Sequence, residues 1–297
     1  MNKGNLKVAL LYGGDSSERQ ISIKTGKAVE NALKNLGYDY KVFDPVEKQK
    51  FISDILKYNP DVAFIALHGK GGEDGQIQAI LDFFGIRYTG SGSKTSAICM
   101  DKKLTKDILK NYSIPVPEDY TLEDIKFPVV LKPSEEGSSI GVHIVFNKSQ
   151  LEKALQDLKN YENILIEEYI KGRELTVSIL NDKVLPIIEI KVKNGFYDYE
   201  NKYFSNETEY ICPAKLPFVV EEKVKAYAKR AYNILKCKGA VRVDFILSED
   251  DTPYLLEINT VPGMTEHSLL PKSAKAIGYT FEQLVNEIIV GALNEKK

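Results

Sequence analysis

The feature that most constrains the fold is the alternation of strand-like and helix-like segments in the N-terminal third of the chain. Short apolar runs at 6–12, "LKVALLY", and 60–67, "PDVAFIAL", are separated by segments whose apolar residues follow a helical stripe. In the first of these segments the stripe includes Ile21 and Leu33, and Gly37 follows as a helix-ending residue. Because strands connected through helices pair in parallel, this alternation predicts a parallel α/β unit.

The rest of the chain is richer in short β-like runs. After a helical segment, "SAICMDKKLTKDILKNY", come "FPVVLKP", "GVHIVF", "ILIEEYI", "ELTVSIL" and "VLPIIEI", with an inserted helix, "KSQLEKALQDLK". The last third has a polar loop, the helix "VEEKVKAYAKRAYNILKC", two strands joined by the acidic turn "SEDDT", a second loop and the helix "TFEQLVNEIIVGALN". For 297 residues, these changes predict domains at 1–95, 96–183 and 184–297.

The composition argues against several classes of function. Lys and Arg number 40 and Asp and Glu 42, so the net charge of −2 provides no broad basic surface for nucleic acid or an anionic membrane. No apolar run approaches the roughly 20 residues that span a bilayer. The three cysteines, Cys99, Cys212 and Cys237, are far apart, and there are only three histidines. We therefore expect a cytoplasmic protein with reduced thiols and without a His-rich metal site.

Polar residues alternate along two strand-like runs near the carboxyl terminus, "GAVRVDFIL" and "PYLLEINT". Residues two apart share a face of a strand, so Arg242 and Asp244 lie together, as do Glu257 and Asn259. If the turn pairs the strands, three oxygen donors and one arginine converge, which suits Mg²⁺ bound jointly with substrate phosphates. The alternative is the solvated face of an antiparallel sheet. Repulsion between acids gathered without a cation favours the metal.

The stretch "KPSEEGSSIGV" follows the apolar run "FPVVL" and contains neither a P-loop nor a dinucleotide-binding fingerprint. Lys132 leaves the strand, where its ammonium can meet a phosphate. Gly137, Ser138, Ser139 and Gly141 offer backbone N–H groups that large side chains do not hinder. The alternative is a loop that only turns the chain.

Three further motifs carry candidate binding residues. In "GGDSSER", Asp15 and Glu18 have the spacing of a capping box, but a carboxylate at this strand-to-helix turn also faces a ligand site. In "LHGKGGEDG", His68 lies in a glycine-rich loop after a strand, where a binding role competes with a structural one. In "ILIEEYIKGRELTV", Glu167 and Glu174 are either acceptors for adenine and ribose or surface acids.

Taken together and in order, these motifs resemble the D-alanine–D-alanine ligase family of ATP-grasp enzymes. The matching stretches are "GGDSSER", "ALHGKGGEDGQIQAILDFFGIRYTGSG", "MDKKLTK", "KPSEEGSSIGV", "IEEYIKGRELTV", "YDYENKYFSNETEYICPA", "RVDF" and "LLEINTVPGMTEHSLLPKSA". The resemblance implies an α/β fold in which an N-terminal parallel α/β domain precedes two β-rich subdomains that sandwich ATP. The Ser/Gly loop would close over the phosphates.

The resemblance also implies roles for individual residues. Those expected around ATP are Lys102 and Lys132 at the phosphates, Glu167 facing the adenine, Glu168, Tyr169 and Ile170 at its edge, Glu174 at the ribose, and Lys202. Those expected to hold Mg²⁺ or Mn²⁺, as two ions, are Asp244, Glu257 and Asn259. Those expected around substrate are Glu18 and His68 for the first D-alanine, Arg242 and Gly263 for the oxyanion, and Ser268 and Leu269 for the second D-alanine. Those expected to link two mobile loops to the first domain are Glu18, Ser138 and Tyr203.

The implied reaction joins two D-alanines through an acyl phosphate made from ATP, in an enzyme expected to be a homodimer. Two alternatives stay open at this point. Another ATP-grasp ligase would share the nucleotide motifs but not "GGDSSER" or "PGMTEHSL". A non-catalytic nucleotide-binding module would have no need of an arginine beside metal ligands.

Overall fold

A computed structural model describes residues 4, 6–137, 139–192, 208–265 and 267–295, and it confirms the parallel α/β unit at the N-terminus. The strands of this unit are β1 (Lys7–Leu11), β2 (Asp39–Phe43) and β3 (Val62–Ile65), and its helices are α1 (Arg19–Leu36), α2 (Lys48–Tyr58) and α3 (Gln76–Phe83). Strand β1 lies between β2 and β3 and pairs with both in parallel. The loops that follow β1 and β3 therefore meet at one edge of the sheet, where ligands of such sheets bind.

The sequence prediction is confirmed at the C-terminal end of α1 and wrong at its N-terminal end. Gly37 ends the helix as predicted, with φ of 75° and its N–H donated to the carbonyls of Leu33 and Lys34. The predicted capping box is wrong, because α1 begins at Arg19 and Glu18 is itself the N-cap residue. The carbonyl of Ser16 accepts the N–H of Arg19 in a turn that precedes the helix. Glu18 is therefore at the helix entrance, and its carboxylate makes no capping hydrogen bond.

The segment predicted as one helix after residue 95 is two helices, α4 (Ser93–Met100) and α5 (Lys102–Lys110). Asp101 breaks the helix with an extended backbone, at φ of −82° and ψ of 102°, and caps α5 by accepting the N–H of Leu104 at 3.1 Å. A short polar side chain that bonds its own backbone favours such a cap over continued helix. The break fixes where Lys102 starts the second helix.

A small antiparallel sheet follows, covered by one helix. Its strands are β4 (Val129–Pro133), β5 (His143–Val145) and β6 (Ile164–Glu168), and its helix is α6 (Lys148–Asp157). Strand β4 is central, with the order β5-β4-β6. Val129 and Leu131 on β4 pack against Ala154 and Leu158 in a small core of their own. The opposite face of this sheet is left to line a cleft.

The largest sheet has six strands, all joined in antiparallel pairs. They are β7 (Gly172–Leu180), β8 (Lys183–Val184), β9 (Ile188–Val192), β10 (Thr208–Ile211), β11 (Ala240–Ser248) and β12 (Pro253–Asn259). The main path is β10-β9-β7-β11-β12, and β8 pairs with β7. The accompanying helices are α7 (Phe218–Ile234), α8 (Leu269–Lys275) and α9 (Phe281–Asn294). Strand β10 and helix α8 fall in segments that were predicted as loops.

Two features connect the parts of the chain. Residues of α9, including Leu284 and Ile288, share one hydrophobic core with Val29 and Leu33 of α1. Strand β7 precedes residue 183 but pairs along its whole length with β11. One sheet and one hydrophobic core therefore cross the proposed boundaries. The division into three domains stays a prediction. Within the described ranges, no helix has the length and apolar character needed to cross a membrane.

Candidate active site

Two adjoining cavities lie where the three sheets come together. The larger is a cleft of about 730 Å³ between the small sheet and the six-stranded sheet. The smaller, of about 80 Å³, lies beside the loops that follow β1 and β3. The residues common to both linings are Lys102, Glu136, Arg242, Glu257 and Leu269. A ligand in one cavity is therefore next to a ligand in the other.

The polar faces of β11 and β12 form the junction between the cavities. The two strands pair as predicted, with Arg242 opposite Asn259 and Asp244 opposite Glu257. The Arg242 guanidinium donates to both oxygens of Asp244, from Nε at 2.9 Å and from Nη2 at 2.7 Å. The alternate residues, including Val243, point into the core. The polar face thus lines a cleft between sheets and is not an open, solvated surface.

The carboxylates on this face have further partners. Thr176 of β7 donates from Oγ1 to Oδ1 of Asp244 at 2.6 Å. One oxygen of Glu257 lies 3.4 Å from Lys102 Nζ, and the other lies 3.7 Å from Nη2 of Arg242. The Asn259 side-chain oxygen accepts the N–H of Val261 at 3.0 Å.

The donor set suits a hard cation that shares its ligands with phosphate. Two carboxylates and one amide oxygen on paired strands provide the oxygen atoms that Mg²⁺ prefers. In the part of the chain that the structure describes, no three His, Cys, Asp or Glu side chains are arranged to hold a metal. The residues fit Mg²⁺ held partly by the protein and partly by a nucleotide, as such sites commonly are.

A buried ion-pair network forms one wall of the larger cleft. Lys132 Nζ lies 2.7 Å from Oε2 of Glu167, and Lys106 Nζ lies 2.6 Å from Oε1 of the same carboxylate. Glu167 was predicted to face adenine, and the structure shows its oxygens bound to two lysines, of which Lys132 lines the cleft and Lys106 does not. Lys106 was not predicted. The available signal was its spacing of four residues from Lys102 in "MDKKLTK", which places both on one face of α5.

The loop after β4 reaches from the larger cleft to the smaller cavity. Lys102 Nζ donates to the Glu136 carbonyl at 2.6 Å. Gly137 approaches the Glu18 carboxylate so closely that an added Cβ would lie 3.0 Å from Oε2. Burial, and then the neighbouring Glu18 carboxylate, raise the pKa of Glu136. Ser138 lies outside the described residues, so its predicted bond to Glu18 stays a prediction.

The larger cleft also carries the remaining nucleotide candidates. They are Glu168, Tyr169, Ile170 and Glu174, which all line the cleft. Beside them, Arg173 binds Glu189 through two hydrogen bonds of 2.9 and 2.8 Å. This arginine holds the pKa of the Glu189 carboxyl below its usual range. Lys202 and Tyr203 lie outside the described residues.

A histidine held at both ring nitrogens lies in the wall of the smaller cavity. His68 is buried, with Nδ1 2.8 Å from Glu73 Oε1 and Nε2 3.0 Å from Thr25 Oγ1. Burial raises the pKa of Glu73, and its bond to His68 opposes the rise. Glu18 lines the same cavity. His68 was predicted from the sequence and Glu73 was not, although both belong to "LHGKGGEDG".

The remaining substrate candidates line the opposite side of the smaller cavity. They are Gly263, Ser268 and Leu269. Ser268 Oγ accepts the N–H of Thr265 at 3.0 Å and lies 2.9 Å from its hydroxyl. Leu269 begins α8 directly after Ser268. The structure thus brings together every described candidate along one continuous pair of cavities.

Comparison with known families and proteins gives consistent matches along the chain. The family model described as the D-ala D-ala ligase N-terminus matches residues 44–91, and that described as the C-terminus matches residues 106–290. A D-alanine–D-alanine ligase of Pseudothermotoga lettingae is 48% identical over 299 residues, which cover 97% of this chain and 100% of the relative. One of Buchnera aphidicola is 46% identical over 301 residues, covering 95% and 98%.

Solved structures give the same result. The D-alanine–D-alanine ligase of Bacillus anthracis superposes with a TM-score of 0.86 and 39% identity, covering 97% of each chain. The same enzyme complexed with ATP gives a TM-score of 0.83 with 37% identity and 97% coverage of each chain. A third structure, from Coxiella burnetii, has a TM-score of 0.80 at 24% identity, covers 97% of this chain and 94% of that one, and supports the fold.

Proposed function

The chain belongs to the D-alanine–D-alanine ligase family, and we propose that it joins two D-alanines at the expense of ATP. The products are D-alanyl-D-alanine, ADP and phosphate, and the dipeptide serves peptidoglycan precursor synthesis. The observation that carries this proposal is the pair of adjoining cavities, which share Lys102, Arg242 and Glu257. Phosphoryl transfer from a nucleotide to an amino acid requires such a junction.

ATP is assigned to the larger cleft. Lys102 and Lys132 both line it, and Lys102 also lines the smaller cavity, so their ammonium groups would meet the phosphates. The adenine and ribose are assigned to the part of the cleft beside the stretch from Glu168 to Ile170 and Glu174. Glu167 would act on the nucleotide through Lys132, to which its carboxylate is bonded. The ATP complex of the Bacillus anthracis relative supports nucleotide binding by this fold.

The cations assigned to the junction are Mg²⁺ or Mn²⁺, as two ions. Asp244, Glu257 and Asn259 would hold them together with oxygens of ATP. When bound, the cations supply positive charge that neutralises the phosphate oxygens. The oxygen-only donor set of the paired strands supports this assignment.

The first chemical step takes place between the two cavities. Glu18 would hold the ammonium of the first D-alanine, and His68, oriented by Glu73, would support it from the cavity wall. The carboxylate of this D-alanine attacks the γ-phosphorus of ATP, which forms D-alanyl phosphate and releases ADP. The two phosphate-binding lysines stabilise the charge on the transferred group.

In the second step the amine of the second D-alanine attacks the acyl carbon, and phosphate leaves from a tetrahedral intermediate. Arg242 and the Gly263 N–H would stabilise the oxyanion, while Ser268 and Leu269 would hold the incoming carboxylate. Water must be excluded, because it hydrolyses acyl phosphates. The approach of Gly137 to Glu18 supports a loop that closes this site. Ser138 and Tyr203 are assigned to the same closure, and Lys202 is assigned to ATP.

The test is phosphate release from ATP on addition of D-alanine, with L-alanine as the control and mass spectrometry of the dipeptide. Release with D-alanine alone, accompanied by D-alanyl-D-alanine, is the expected result. A non-catalytic nucleotide-binding module would release no phosphate. A ligase that uses D-alanine only as the second substrate would need another carboxylic acid before any release.

The proposal includes a homodimer and a cytoplasmic location. The homodimer follows the family resemblance. The location follows from the ATP that the reaction consumes. Sedimentation of the purified protein measures the first, and fractionation of cells measures the second.

A further inference from the structure

Lys106 lines neither of the two described cavities and is almost completely buried beside the larger cleft. The Lys106 side chain is 1% exposed, and its Nζ lies 2.5 Å from Asp119 Oδ1 and 2.6 Å from Glu167 Oε1. Lysine is almost never fully buried unless it is paired, because removing its charge from water is costly. It is one of the largest fully buried side chains of the described chain. A residue placed at this cost needs a reason.

Glu167 connects Lys106 to the cleft. Its second oxygen, Oε2, lies 2.7 Å from Nζ of Lys132, which lines the cleft. Glu167 on β6 pairs with Val130 on β4, two residues before Lys132, so the two side chains are diagonal neighbours on one face. One buried carboxylate is therefore shared between two ammonium groups.

Backbone hydrogen bonds hold the strand that carries Glu167 beside the segment 118–120. The N–H of Tyr120 donates to the Ile166 carbonyl at 2.8 Å, and that of Glu168 donates to the Glu118 carbonyl at 2.8 Å. These bonds hold Asp119 beside Glu167, and Lys106 lies between the two acids. Lys102 begins the same helix one turn earlier and lines both cavities. Helix α5 therefore sets the surroundings of both lysines assigned to phosphate.

We infer that Lys106 is a positioning residue for the nucleotide, acting on Lys132 through Glu167. The inference rests on the proposed function, which assigns ATP phosphates to Lys132. By binding one oxygen of Glu167, Lys106 takes up part of its negative charge and prevents it from closing on Lys132 with both oxygens. Lys132 keeps positive charge and an orientation towards the cleft. Without Lys106, Glu167 would neutralise Lys132 and draw it away from phosphate.

The experiment compares Lys106→Met, Lys132→Met and the double variant. Lys110→Met is the matched control, because Lys110 is exposed one turn further along the same helix. The measurements are KM for ATP, KM for D-alanine, kcat, and the dissociation constant of ADP with Mg²⁺ by calorimetry. We expect Lys106→Met to raise KM for ATP and weaken ADP about tenfold, with KM for D-alanine unchanged. Lys110→Met should match the wild-type protein.

The double variant separates positioning from general damage. If Lys106 acts through Lys132, the double variant binds ADP no more weakly than Lys132→Met alone, whereas independent effects would multiply. If Lys106→Met does not fold by circular dichroism, Lys106→Gln replaces it, since an amide removes the charge but keeps a donor between the acids.

Each remaining outcome overturns the inference. Normal ADP binding by the Lys106 variants, with weak binding by Lys132→Met, refutes the role of Lys106 and leaves the proposed function intact. Normal ADP binding by Lys132→Met refutes the phosphate assignment and the inference together. Equal losses for ATP and D-alanine, or multiplied losses in the double variant, indicate general damage to the fold.

Discussion

Replacing Thr176 by valine should weaken cation binding at Asp244 with little change elsewhere. Thr176 lies on β7 directly opposite Asp244 on β11, and its side chain is fully buried. Its hydroxyl donates to Oδ1 of Asp244 at 2.6 Å. Valine has nearly the same shape, so Thr176→Val removes one donor from the carboxylate and leaves no large cavity.

The magnitude follows from the partners that Asp244 keeps. A hydrogen bond to a charged group contributes about 1.5–3 kcal/mol. Arg242 still holds both oxygens of Asp244 in the variant, so the lower end applies. About 1.4 kcal/mol corresponds to a tenfold change in a dissociation constant. Losing a partner that orients a metal ligand commonly costs about ten- to a hundredfold in affinity, which agrees.

The same strand provides a matched control. Ser178 lies two residues further along β7, is equally buried and faces Arg242 on β11. Its hydroxyl has no hydrogen-bond partner among the residues that the structure describes. Ser178→Ala therefore removes a buried hydroxyl from the neighbouring position without removing a bond to a cation ligand.

The assay is binding of Mn²⁺ in the presence of ADP, followed by electron paramagnetic resonance, together with the Mg²⁺ dependence of phosphate release. We expect about tenfold weaker Mn²⁺ binding for Thr176→Val and wild-type binding for Ser178→Ala. Thermal unfolding checks that both variants are folded. If Thr176→Val binds Mn²⁺ as tightly as Ser178→Ala, the reasoning about Asp244 is refuted.

Three further changes test other parts of the site. Glu257→Gln should lower turnover at ordinary Mg²⁺ about a hundredfold, equivalent to about 2.7 kcal/mol, because a charged ligand is lost. Glu73→Gln should raise KM for D-alanine about fivefold, since His68 loses the carboxylate that fixes its ring. Glu189→Gln should lower stability by about 1 kcal/mol at pH 7, because it weakens the pair with Arg173, whose side chain is 39% exposed. Because Arg173 lowers the pKa of Glu189, the ion pair stabilises the fold at pH values above 4.5, the ordinary pKa of the carboxyl group. This contribution is lost as the pH falls through the folded pKa.

The measurements that oppose these expectations are specific. Near-normal turnover of Glu257→Gln at ordinary Mg²⁺ would remove it from the metal ligands. If the Glu73 variant loses affinity for ATP instead of D-alanine, the assignment of His68 and Glu73 to the D-alanine site is contradicted. For Glu189→Gln, the difference in stability from wild type should shrink in acid, and a difference that stays constant down to pH 3 would contradict the ion-pair explanation.

Local patterns were sufficient for much of the fold and of the site. The alternation near the N-terminus predicted the parallel sheet, because strands joined by helices have few other ways to pair. The period of two in "RVDF" and "LLEINT" put Arg242, Asp244, Glu257 and Asn259 on one polar face, which the structure confirms. Gly37 ended α1 as predicted, because a left-handed residue suits glycine best.

Competition between local interactions accounts for the local errors. The capping box at Asp15 and Glu18 had the right spacing, but an earlier turn delays α1 until Arg19. The helical pattern continued through Asp101, where a side-chain bond to the backbone broke it into α4 and α5. Strand β10 was missed because its short, largely polar run forms a strand through pairing with the preceding strand, β9, which local propensity does not record.

The sequence by itself determined which residue types stand at the ends and on the faces of each element. Only the tertiary structure decided which of these residues pair with one another in buried ion pairs and hydrogen bonds. Lys106 appears in the sequence as one lysine of a polar helix, and Glu73 as one acid in a glycine-rich loop. Their importance arises because folding removes Glu167 and His68 from water and leaves these residues as their partners. One of these pairs joins residues far apart in the chain, and the other joins two residues of one polar loop. Both are important because a buried polar or charged group is costly without a partner, and no local sequence pattern records burial.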